Sequence, residues 1–480
     1  MIPPDDVPPL DPPREVATGP VVAAPGQLRR LAQRLEFDRA VFYALAARVW
    51  QMLAGPITVL LIATHFDAET QGYYYAFGSL LAVQAMFELN LGVVLLNAAG
   101  HEWPLLRLDS RGRVTGDAGA VDRLAGLDRF GSRWYGVAAL LCLFAIGAVG
   151  HRMFRELPTS GQAAWAVTVT TASAMLVLMP RMAILQGCHQ MVAVNRNIAM
   201  QAVCGTLAVW SCVLAGMGLW AVAASWSTKL MLDFWLVFGR YSTFFRSLPR
   251  KSAPRIPWKT TIWPLQWRLA LQAIAASAAT SSFVLALFHL GSKDAAGRMG
   301  MTLSVLNMLL WGGLAWVQTR IPVLAGYSRQ NDRVGYDRLF RKITIATVAA
   351  VLFGAVAFWG VVIAMRLLEL TIADRFIGTT AFALLAAAIV MQHLLNCLTI
   401  YSRTRLREPF VVPNVVLNLA IAAGSWLIAP FAGELGVAVI YAVLAIGVGL
   451  PVWLVVWRRD RQTWSHAAVE SGMESRFRET

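Results

Sequence analysis

The sequence predicts an all-α integral membrane protein with twelve transmembrane helices, arranged as two parallel six-helix bundles around a central cavity. Three observations support this fold class. Of the 480 residues, 57% are hydrophobic and only 14% are charged, which is roughly half the charged share of soluble domains. The apolar residues form long runs that polar or Gly/Pro-rich breaks separate. The pattern of these runs also occurs twice along the chain.

Each predicted helix is an apolar run of about the length that crosses a hydrocarbon layer ~30 Å thick. Only Gly216–Gly218 separates the fifth run from the sixth, so we expect a tight turn there. The runs are 41–65, 72–99, 134–150, 162–185, 198–216, 218–238, 268–290, 298–325, 343–364, 377–400, 410–429 and 435–457.

The distribution of basic residues predicts the orientation in the membrane. Segments on the side of the N-terminus, together with the helix-end residues Arg48 and Arg268, hold 33 of the 42 Lys and Arg, whereas the opposite loops hold six. Cytoplasmic loops carry the positive excess in membrane proteins, so both termini should be cytoplasmic. The net charge of +15 then follows from topology, and nucleic acid is not expected as a partner.

The ends of the chain and its central linker differ from the bundles in composition. The first 25 residues contain eight prolines, so residues 1–28 are predicted to be a disordered cytoplasmic tail. Residues 29–40 are predicted to form a basic amphipathic segment on the inner membrane surface. The remaining predicted boundaries are an N-terminal six-helix bundle over 41–239, a basic cytoplasmic linker over 240–267, a C-terminal six-helix bundle over 268–457 and a cytoplasmic tail over 458–480.

The two halves of the chain begin with a similar pattern. Arg48 and Gln51 stand at the start of the first half, and Arg268 and Gln272 at the start of the second. In each half an apolar run follows, then a short acidic turn that ends in glycine, and a serine seven residues later. Both halves begin inside and hold six helices, so the repeats should be parallel and related by an axis along the membrane normal.

Two segments resemble a known family of transporters. Segment 68–94 resembles the second-helix signature of bacterial polysaccharide flippases of the O-antigen type, with the residues AETQGYYYAFGSLLAVQAMFELNLGVV. Segment 179–210 is similar to their fourth-to-fifth-helix junction, with the residues MPRMAILQGCHQMVAVNRNIAMQAVCGTLAVW. These flippases belong to the multidrug/oligosaccharidyl-lipid/polysaccharide exporter superfamily, whose fold is two six-helix bundles in a V around a central cavity.

The resemblance implies a transporter and not an enzyme. Its implied substrate is a polyprenyl-diphosphate-linked glycan, moved from the inner to the outer leaflet of the bacterial cytoplasmic membrane by alternating access. Membrane lipids and glycan assembly proteins are the implied partners, and no cofactor is expected. The chain contains no GxxxxGK[ST] phosphate loop, so the energy should come from an ion gradient, the membrane potential or product removal.

Other functions remain open from the sequence alone. A multidrug cation antiporter of the same superfamily is one alternative, although arginine and lysine outnumber acids within the predicted helices. A polysaccharide polymerase or ligase is another, but the short outer loops leave no room for a substantial glycan-processing domain. A scaffold for glycan assembly proteins, using the basic cytoplasmic loops, is a further alternative.

Charged residues within the predicted helices mark the candidate site, because charge in hydrocarbon is costly. Arg48 and Arg268 occupy matching positions in the two halves and are candidates for binding the diphosphate. The competing interpretation is that they extend to the inner headgroups. Arg181 and Arg320 lie next to or near prolines, so they could line the same cationic cavity or bond the carbonyls that the prolines free.

Glu88 is the acid within the second predicted helix. It could pair with a cavity arginine, be protonated in an apolar site, or carry a coupling proton. Pairing with an arginine is the favoured interpretation. Polar residues are expected to face the bundle interior rather than lipid. The further polar candidates for the cavity are Gln51, Gln84, Asn90, Asn97 and Gln272.

Three further patterns complete the candidate site. The i,i+4 spacing of Lys229 and Asp233 predicts an intramembrane ion pair. Gly55 and Pro56 predict a kink in the first helix and a hinge for movement of one half. The tyrosines of 73–75 predict an interfacial aromatic belt. The histidines have no metal-binding spacing, so no metal site is expected.

Overall fold

The structure is a computed structural model that describes residues 26–89, 91–249, 263–330, 332–405 and 407–463. Most of the predicted N-terminal tail, the middle of the predicted linker and most of the predicted C-terminal tail lie outside these residues.

The first half of the chain forms six membrane spans. Helices α2, α3 and α4 together make the second span, and α8 continues through a π-helical turn, Trp235–Arg240. The tight turn predicted between the fifth and sixth spans is confirmed, with Gly216 and Gly218 at φ values of 71° and 57°. The helices are α1 (Gly26–His65), α2 (Ala68–Ala82), α3 (Gln84–Glu88), α4 (Leu91–Glu102), α5 (Ala118–Met153), α6 (Thr159–Gly187), α7 (Met191–Leu214) and α8 (Trp220–Phe234).

The second half begins after a short helix, α9, and ends with a helix that turns back on itself. Gly433 within α14 has φ 52° and ψ −140°, a conformation that favours glycine. A Cβ at Gly424 would lie 2.7 Å from Cγ1 of Ile440, so the two arms of α14 pack antiparallel. The helices are α9 (Ser242–Arg246), α10 (Trp263–Leu290), α11 (Lys293–Arg329), α12 (Arg333–Leu367), α13 (Thr379–Arg403) and α14 (Val411–Ala442), whose second arm continues to Thr463.

The prediction of twelve spans is confirmed. Within the described ranges, nine helices are each long and apolar enough to cross a membrane, and the bent assembly of α2 to α4 brings the number to ten. Those nine include 411–463 as a single helix, which the reversal at Gly433 divides into two spans. Helix α8 with its π-helical turn supplies the twelfth. The chain is therefore a multi-pass α-helical membrane protein.

Some helices extend beyond the apolar runs that predict them. Helix α5 begins at Ala118 rather than near residue 134, because the carboxylate of Asp117 accepts a hydrogen bond from the backbone N–H of Ala120 at 2.7 Å and caps the helix. Its first turns are polar, so hydropathy does not reveal them. Helix α1 runs without a break through the predicted amphipathic segment 29–40.

A small β-hairpin adds to the predicted all-α architecture. Strand β1 (Leu106–Leu108) pairs with β2 (Val114–Gly116) in antiparallel register. The Asp109 carboxylate accepts hydrogen bonds from the backbone N–H groups of Arg111 and Arg113 at 2.9 and 2.7 Å, which stabilises the turn between the strands. This hairpin lies between α4 and α5, in a segment predicted as an inner loop.

The contacts between helices repeat in the two halves. Helix α1 packs against α7 as α10 packs against α14, and α5 packs against α6 as α12 packs against α13. Between the halves, α2 packs against α11, and the contact of α2 with α10 has its equivalent in that of α11 with α1. Each of these contacts therefore has a counterpart between the equivalent helices of the other half, as the predicted parallel repeat requires.

Candidate functional site

The two halves approach each other most closely at the end where α2 and α11 begin, which the basic residues predict to be the outer end. A Cβ at Gly72 would lie 2.2 Å from the carbonyl oxygen of Lys293, and a Cβ at Gly300 would lie 2.4 Å from Cβ of Tyr75. Glycine therefore allows the backbones to touch at these points. We call this contact between Gly72, Tyr75, Lys293, Gly297 and Gly300 the outer closure.

Lys293 also joins the halves by ion pairs. Its Nζ lies 2.7 Å from Oε1 of Glu69 and 2.8 Å from Oε2 of Glu156, both in the first half. It lies 4.9 Å from the ring centroid of Tyr73 as well. The hydrogen bond from Lys293 holds the pKa of Glu156 below its usual value of 4.5. The outer closure is therefore electrostatic as well as steric.

Tyr73 belongs to this contact rather than to an interfacial belt. It is only 2% exposed, and its ring centroid lies 5.1 Å from that of Phe288 and 6.1 Å from that of Phe154. The prediction of a belt is therefore wrong for Tyr73, because residues from both halves cover it. Tyr74 and Tyr75 line the cavity next to the closure.

A cavity of about 220 Å³ lies between the two halves beside the outer closure. Gln51, a predicted polar cavity residue, is exposed in it. Gly55 makes room for α11, because a Cβ there would lie 2.6 Å from Sδ of Met308. Helix α1 is continuous through Pro56, and the hinge at Gly55 and Pro56 stays a prediction. The polar lining also includes Thr58, Tyr74, Tyr75, Thr206 and Ser304.

Arg48 lies between the halves toward their opposite, inner end. Its Nη2 donates a hydrogen bond to Oε1 of Gln318, at 3.2 Å, across the two halves. At a rise of ~1.5 Å per residue, Arg48 lies about 26 Å along α1 from His65 at the outer end. Arg268 lies in α10, but its side chain is outside the described residues. A joint site of Arg48 and Arg268 therefore stays a prediction.

Arg181 is held within the first half. Its Nε lies 3.4 Å from Oδ1 of Asp128, and its guanidinium carbon lies 5.1 and 5.3 Å from the ring centroids of Phe238 and Phe245. These contacts give Arg181 a structural role. Its partners are a carboxylate and two aromatic rings, and not the backbone carbonyl that a neighbouring proline would free. Arg320 is exposed on α11.

Glu88 lies at a break in the second span. Leu89 has φ 50°, and the helices on either side of the break differ in direction by 46°. The hydroxyl of Tyr135 donates a hydrogen bond to Oε1 of Glu88 at 3.3 Å. A Cβ at Gly92 would lie 3.2 Å from the same oxygen, so glycine gives the carboxylate room.

The partner of Glu88 corrects one expectation. Glu88 lies about 30 Å along the helices from Ala68 and about 21 Å from Glu102, close to the middle of the second span. Among the residues that the structure describes, no arginine forms a salt bridge with Glu88. The favoured pairing with an arginine is therefore not observed, and a neutral hydroxyl takes its place.

Two of the other polar candidates bond within their own halves. Gln84 Nε2 donates to the carbonyl of Ala172 at 3.3 Å, and Gln272 Oε1 accepts from Nη2 of Arg403 at 2.6 Å. Asn97 is exposed on α4. Asn90 lies outside the described residues.

The predicted ion pair between Lys229 and Asp233 is not formed. Oδ1 of Asp233 accepts hydrogen bonds from Nδ2 of Asn197 at 2.7 Å and from Nε2 of Gln201 at 2.5 Å. Lys229 Nζ instead lies 5.4 Å from the ring centroid of Trp226. The prediction of a salt bridge is wrong because amides on the neighbouring helix α7 bind the carboxylate. Asn197 and Gln201 are themselves one turn apart at the start of the fifth apolar run, a signal that could have identified them.

Other partners in the site could not be read from the sequence. Tyr135, Asp128 and Glu156 each contact a residue more than 45 positions away in the chain. Within the described ranges, no group of three or more His, Cys, Asp or Glu could hold a metal ion.

Several solved structures have the same arrangement of helices. One is a multidrug resistance transporter of the MATE family and the MOP superfamily in an inward-facing conformation, with TM-score 0.60 and 12% identity over 89% of this chain and 95% of that one. Another is the lipid II flippase MurJ in an inward closed conformation, with TM-score 0.60 and 9% identity over 90% of this chain and 93% of that one.

A third is the eukaryotic MATE transporter AtDTX14, with TM-score 0.52 and 13% identity over 90% of this chain and 99% of that one. No family model matches the sequence, and no curated protein matches it. The likeness covers nearly the whole chain in each case, so the chain has the fold of the MATE transporters and MurJ. The superfamily resemblance is confirmed at the level of the fold.

Proposed function

We propose that this protein is a transporter that moves a polyprenyl-diphosphate-linked oligosaccharide from the inner to the outer leaflet by alternating access. It acts in the bacterial cytoplasmic membrane, with both termini in the cytoplasm. The observation that carries the proposal is Arg48, which is exposed between the two halves toward the inner end, opposite the outer closure. The likeness of its fold to the lipid II flippase MurJ supports the same function.

The charge near Arg48 suits an anionic head group. Its described partner, Gln318, is a neutral amide, so the guanidinium charge is not neutralised there. The planar guanidinium can form two charge-assisted hydrogen bonds to phosphate oxygens. Arg268 lies near the start of the equivalent helix of the second half, and a pseudo-two-fold relation would bring it to the opposite wall. Together they would bind the diphosphate in the inward-open state.

The cavity next to the outer closure suits the glycan. Gln51, Thr58 and Ser304 offer amide and hydroxyl groups that bond sugar hydroxyls. Alternation would then require the outer closure to part and the inner ends to approach, which releases the glycan outside. The apolar polyprenyl tail of the substrate would stay in the surrounding lipid and pass through a lateral opening between the halves. Membrane lipids and glycan assembly proteins complete the proposed partners.

Glu88 is the proposed coupling residue. Its partner is the neutral hydroxyl of Tyr135, so no described cation holds the carboxylate ionised. It also lies at the break between α3 and α4, where the span can change its bend. Broken helices mark substrate and ion sites in many transporters. A proton taken up by Glu88 would therefore act directly on the geometry of the second span.

A multidrug cation antiporter is the second candidate, because a MATE transporter shares the fold with the same TM-score as MurJ, 0.60. The charges in the cleft, by which we mean the space between the two halves from Arg48 to the outer closure, favour the flippase. A cationic drug entering from the inner end would meet the arginine at position 48, whereas the buried acid Asp233 is bound by two amides within the first half. Transport of a cationic dye driven by a proton gradient would support the antiporter instead.

The double variant Arg48→Lys, Arg268→Lys tests the proposal in cells. Lysine keeps the charge and reaches headgroups about as well, but it lacks the two-pronged geometry. We expect loss of surface polysaccharide and accumulation of the lipid-linked unit in the inner leaflet, with a further loss in the double alanine variant. The matched control is Arg458→Lys, Arg459→Lys, which changes two exposed arginines outside the cleft.

Normal surface polysaccharide in a well-expressed Arg48, Arg268 double lysine variant would contradict the binding role. It would favour anchoring of these arginines at the headgroups.

A further inference from the structure

We propose that the C-terminal half binds one anionic phospholipid of the inner leaflet in a groove on its surface. The groove has a volume of about 570 Å³ and is lined by α12, α13 and the second arm of α14. We call it the lipid groove and define it by Arg338, Arg341, Ile345, Leu398, Leu454 and Arg461. The inference concerns a site away from the cleft and does not depend on what the protein transports.

The lipid groove is charged at its mouth and apolar further in. Arg338 and Arg341 lie in the first turns of α12, which begins at Arg333 on the predicted inner side. Ile345 lies about 18 Å along the helix from Arg333, and Leu454 about 14 Å from the helix end at Thr463. The groove therefore runs from the inner interface into the depth of the hydrocarbon layer. A head group and one acyl chain have the same order of polarity along their length.

Two of the three arginines at the mouth have no acidic partner among the described residues. Arg461 Nη2 lies 2.6 Å from Oδ2 of Asp337, and the same carboxylate accepts from the Tyr401 hydroxyl at 2.8 Å. Arg338 and Arg341 are exposed, and no salt bridge to either is found in the part of the chain that the structure describes. Their charge is therefore available to an anion.

A further polar atom at the mouth lacks a partner. Nε of Arg461 is buried and has no hydrogen-bond partner within the structure, while its guanidinium lies 5.4 Å from the ring centroid of Trp457. A buried donor without an acceptor is uncommon in native proteins and indicates that another group bonds it. A phosphate oxygen between Arg338, Arg341 and Arg461 would supply that acceptor.

Charge and polarity together identify the occupant. A free phosphate would leave the apolar part of the groove uncovered, and a zwitterionic lipid carries no net charge to match the arginines. Basic pockets between transmembrane helices on the cytoplasmic side bind anionic lipid head groups. The volume also falls within the ~300–1,000 Å³ of small-molecule sites. An anionic phospholipid satisfies both ends of the groove.

Native mass spectrometry of the full-length protein in detergent tests the proposal. The probes are phosphatidylglycerol and phosphatidylcholine with identical acyl chains. We expect one tightly bound phosphatidylglycerol per chain and an affinity for phosphatidylcholine lower by on the order of tenfold. The double variant Arg338→Gln, Arg341→Gln should lose about the same factor for phosphatidylglycerol.

Two controls keep the test specific. The double variant Arg458→Gln, Arg459→Gln removes the same charge from exposed residues outside the groove and should bind like the wild type. Arg338→Lys, Arg341→Lys retains the charge and should keep most of the affinity, which separates loss of binding from misfolding.

Three results would overturn the proposal. Equal affinity for the two lipids would exclude recognition of the head group. An equal loss in the Arg458, Arg459 control would reduce the effect to general surface charge. Complete displacement of phosphatidylglycerol by glycerol 3-phosphate at equal concentration would identify a soluble phosphate as the ligand, with no contribution from the acyl chain.

Discussion

The outer and inner ends of the cleft differ in how the two halves meet. At the outer end, glycines bring backbones into contact and Lys293 pairs with two carboxylates of the other half. Toward the inner end, the described contact between charged or polar side chains of the two halves is Arg48 with the neutral Gln318. The charges between the halves are thus neutralised at the outer end, whereas the contact at the inner end leaves Arg48 bonded to a neutral amide.

This difference suits two different tasks at the two ends of the cleft. A closure that must open needs contacts that are specific but individually weak, such as exposed ion pairs and glycine contacts. A site that binds an anion needs charge without an internal partner, because an internal carboxylate would compete with the substrate. Under the proposed function, the outer end would act as the gate and the inner end as the binding surface.

The largest expected effect comes from filling the glycine contact at the outer closure. In Gly72→Ala the new Cβ would lie 2.2 Å from the carbonyl oxygen of Lys293, so the backbones must separate. Overpacking of this kind costs about 1–3 kcal/mol. We therefore expect the outer end to open more often. An impermeant thiol reagent should then label Ser304→Cys about tenfold faster, since about 1.4 kcal/mol of this cost corresponds to a tenfold change.

Gly78→Ala is the matched control for that experiment. It lies on the same helix, and a Cβ there would meet nothing within 4 Å. Equal labelling in the two variants, each compared with the same protein without the added cysteine, would show that the glycine contact does not hold the outer end closed.

Glu88→Gln tests whether the inner half of the second span carries a proton. Glutamine keeps the size and an oxygen that can accept from Tyr135, but it removes the charge. If the carboxylate couples transport to protons, the dependence on a proton gradient should disappear, since coupling free energies of about 1–3 kcal/mol correspond to ~5- to 150-fold changes. The measurement is transport into vesicles with and without an imposed gradient.

Tyr135→Phe is the control for Glu88, because it removes the hydrogen bond but leaves the carboxylate. It should slow transport while keeping the response to the gradient. A full gradient response in Glu88→Gln would assign Glu88 a structural role at the helix break.

The fold could be predicted from the sequence because its signals are local. Apolar runs identify the twelve spans without any knowledge of packing. The break at Leu89 could not be predicted, because a non-glycine residue with φ 50° leaves no mark in hydropathy. The reversal at Gly433 could be predicted, since it divides two apolar runs.

The candidate site was only partly predictable, because its partners come from distant parts of the chain. The spacing of Lys229 and Asp233 fits an ion pair on an isolated helix, but Asn197 on α7 is closer to the carboxylate. The sequence alone places Lys293 in an outer loop as an isolated charge, whereas in the structure it bonds residues 224 and 137 positions away. Local spacing does not contain that information.

The smallest expected effect comes from Lys293→Gln, which removes the ion pairs of the outer closure and leaves its glycine contacts. The side chains of Glu69 and Glu156 are 58% and 62% exposed, so solvent screens both pairs. We expect the labelling of Ser304→Cys to rise only about twofold to fivefold. High salt should produce the same rise in the Ser304→Cys protein that keeps Lys293, and little change in the one that carries Lys293→Gln.

The pH dependence of the wild type separates the ion pairs from other causes. Because Lys293 holds the pKa of Glu156 below 4.5, this carboxylate stays ionised and paired at every pH above its usual value. Its contribution to closure is lost only as the pH falls through the lowered pKa. Labelling of Ser304→Cys in the protein that keeps Lys293, divided by the labelling of a fully exposed cysteine at the same pH to remove the change in thiolate fraction, should therefore be constant from about pH 5 to 8 and rise below about pH 4. A rise between pH 6 and 8 would mean that another group, not the Lys293 ion pairs, controls the outer end.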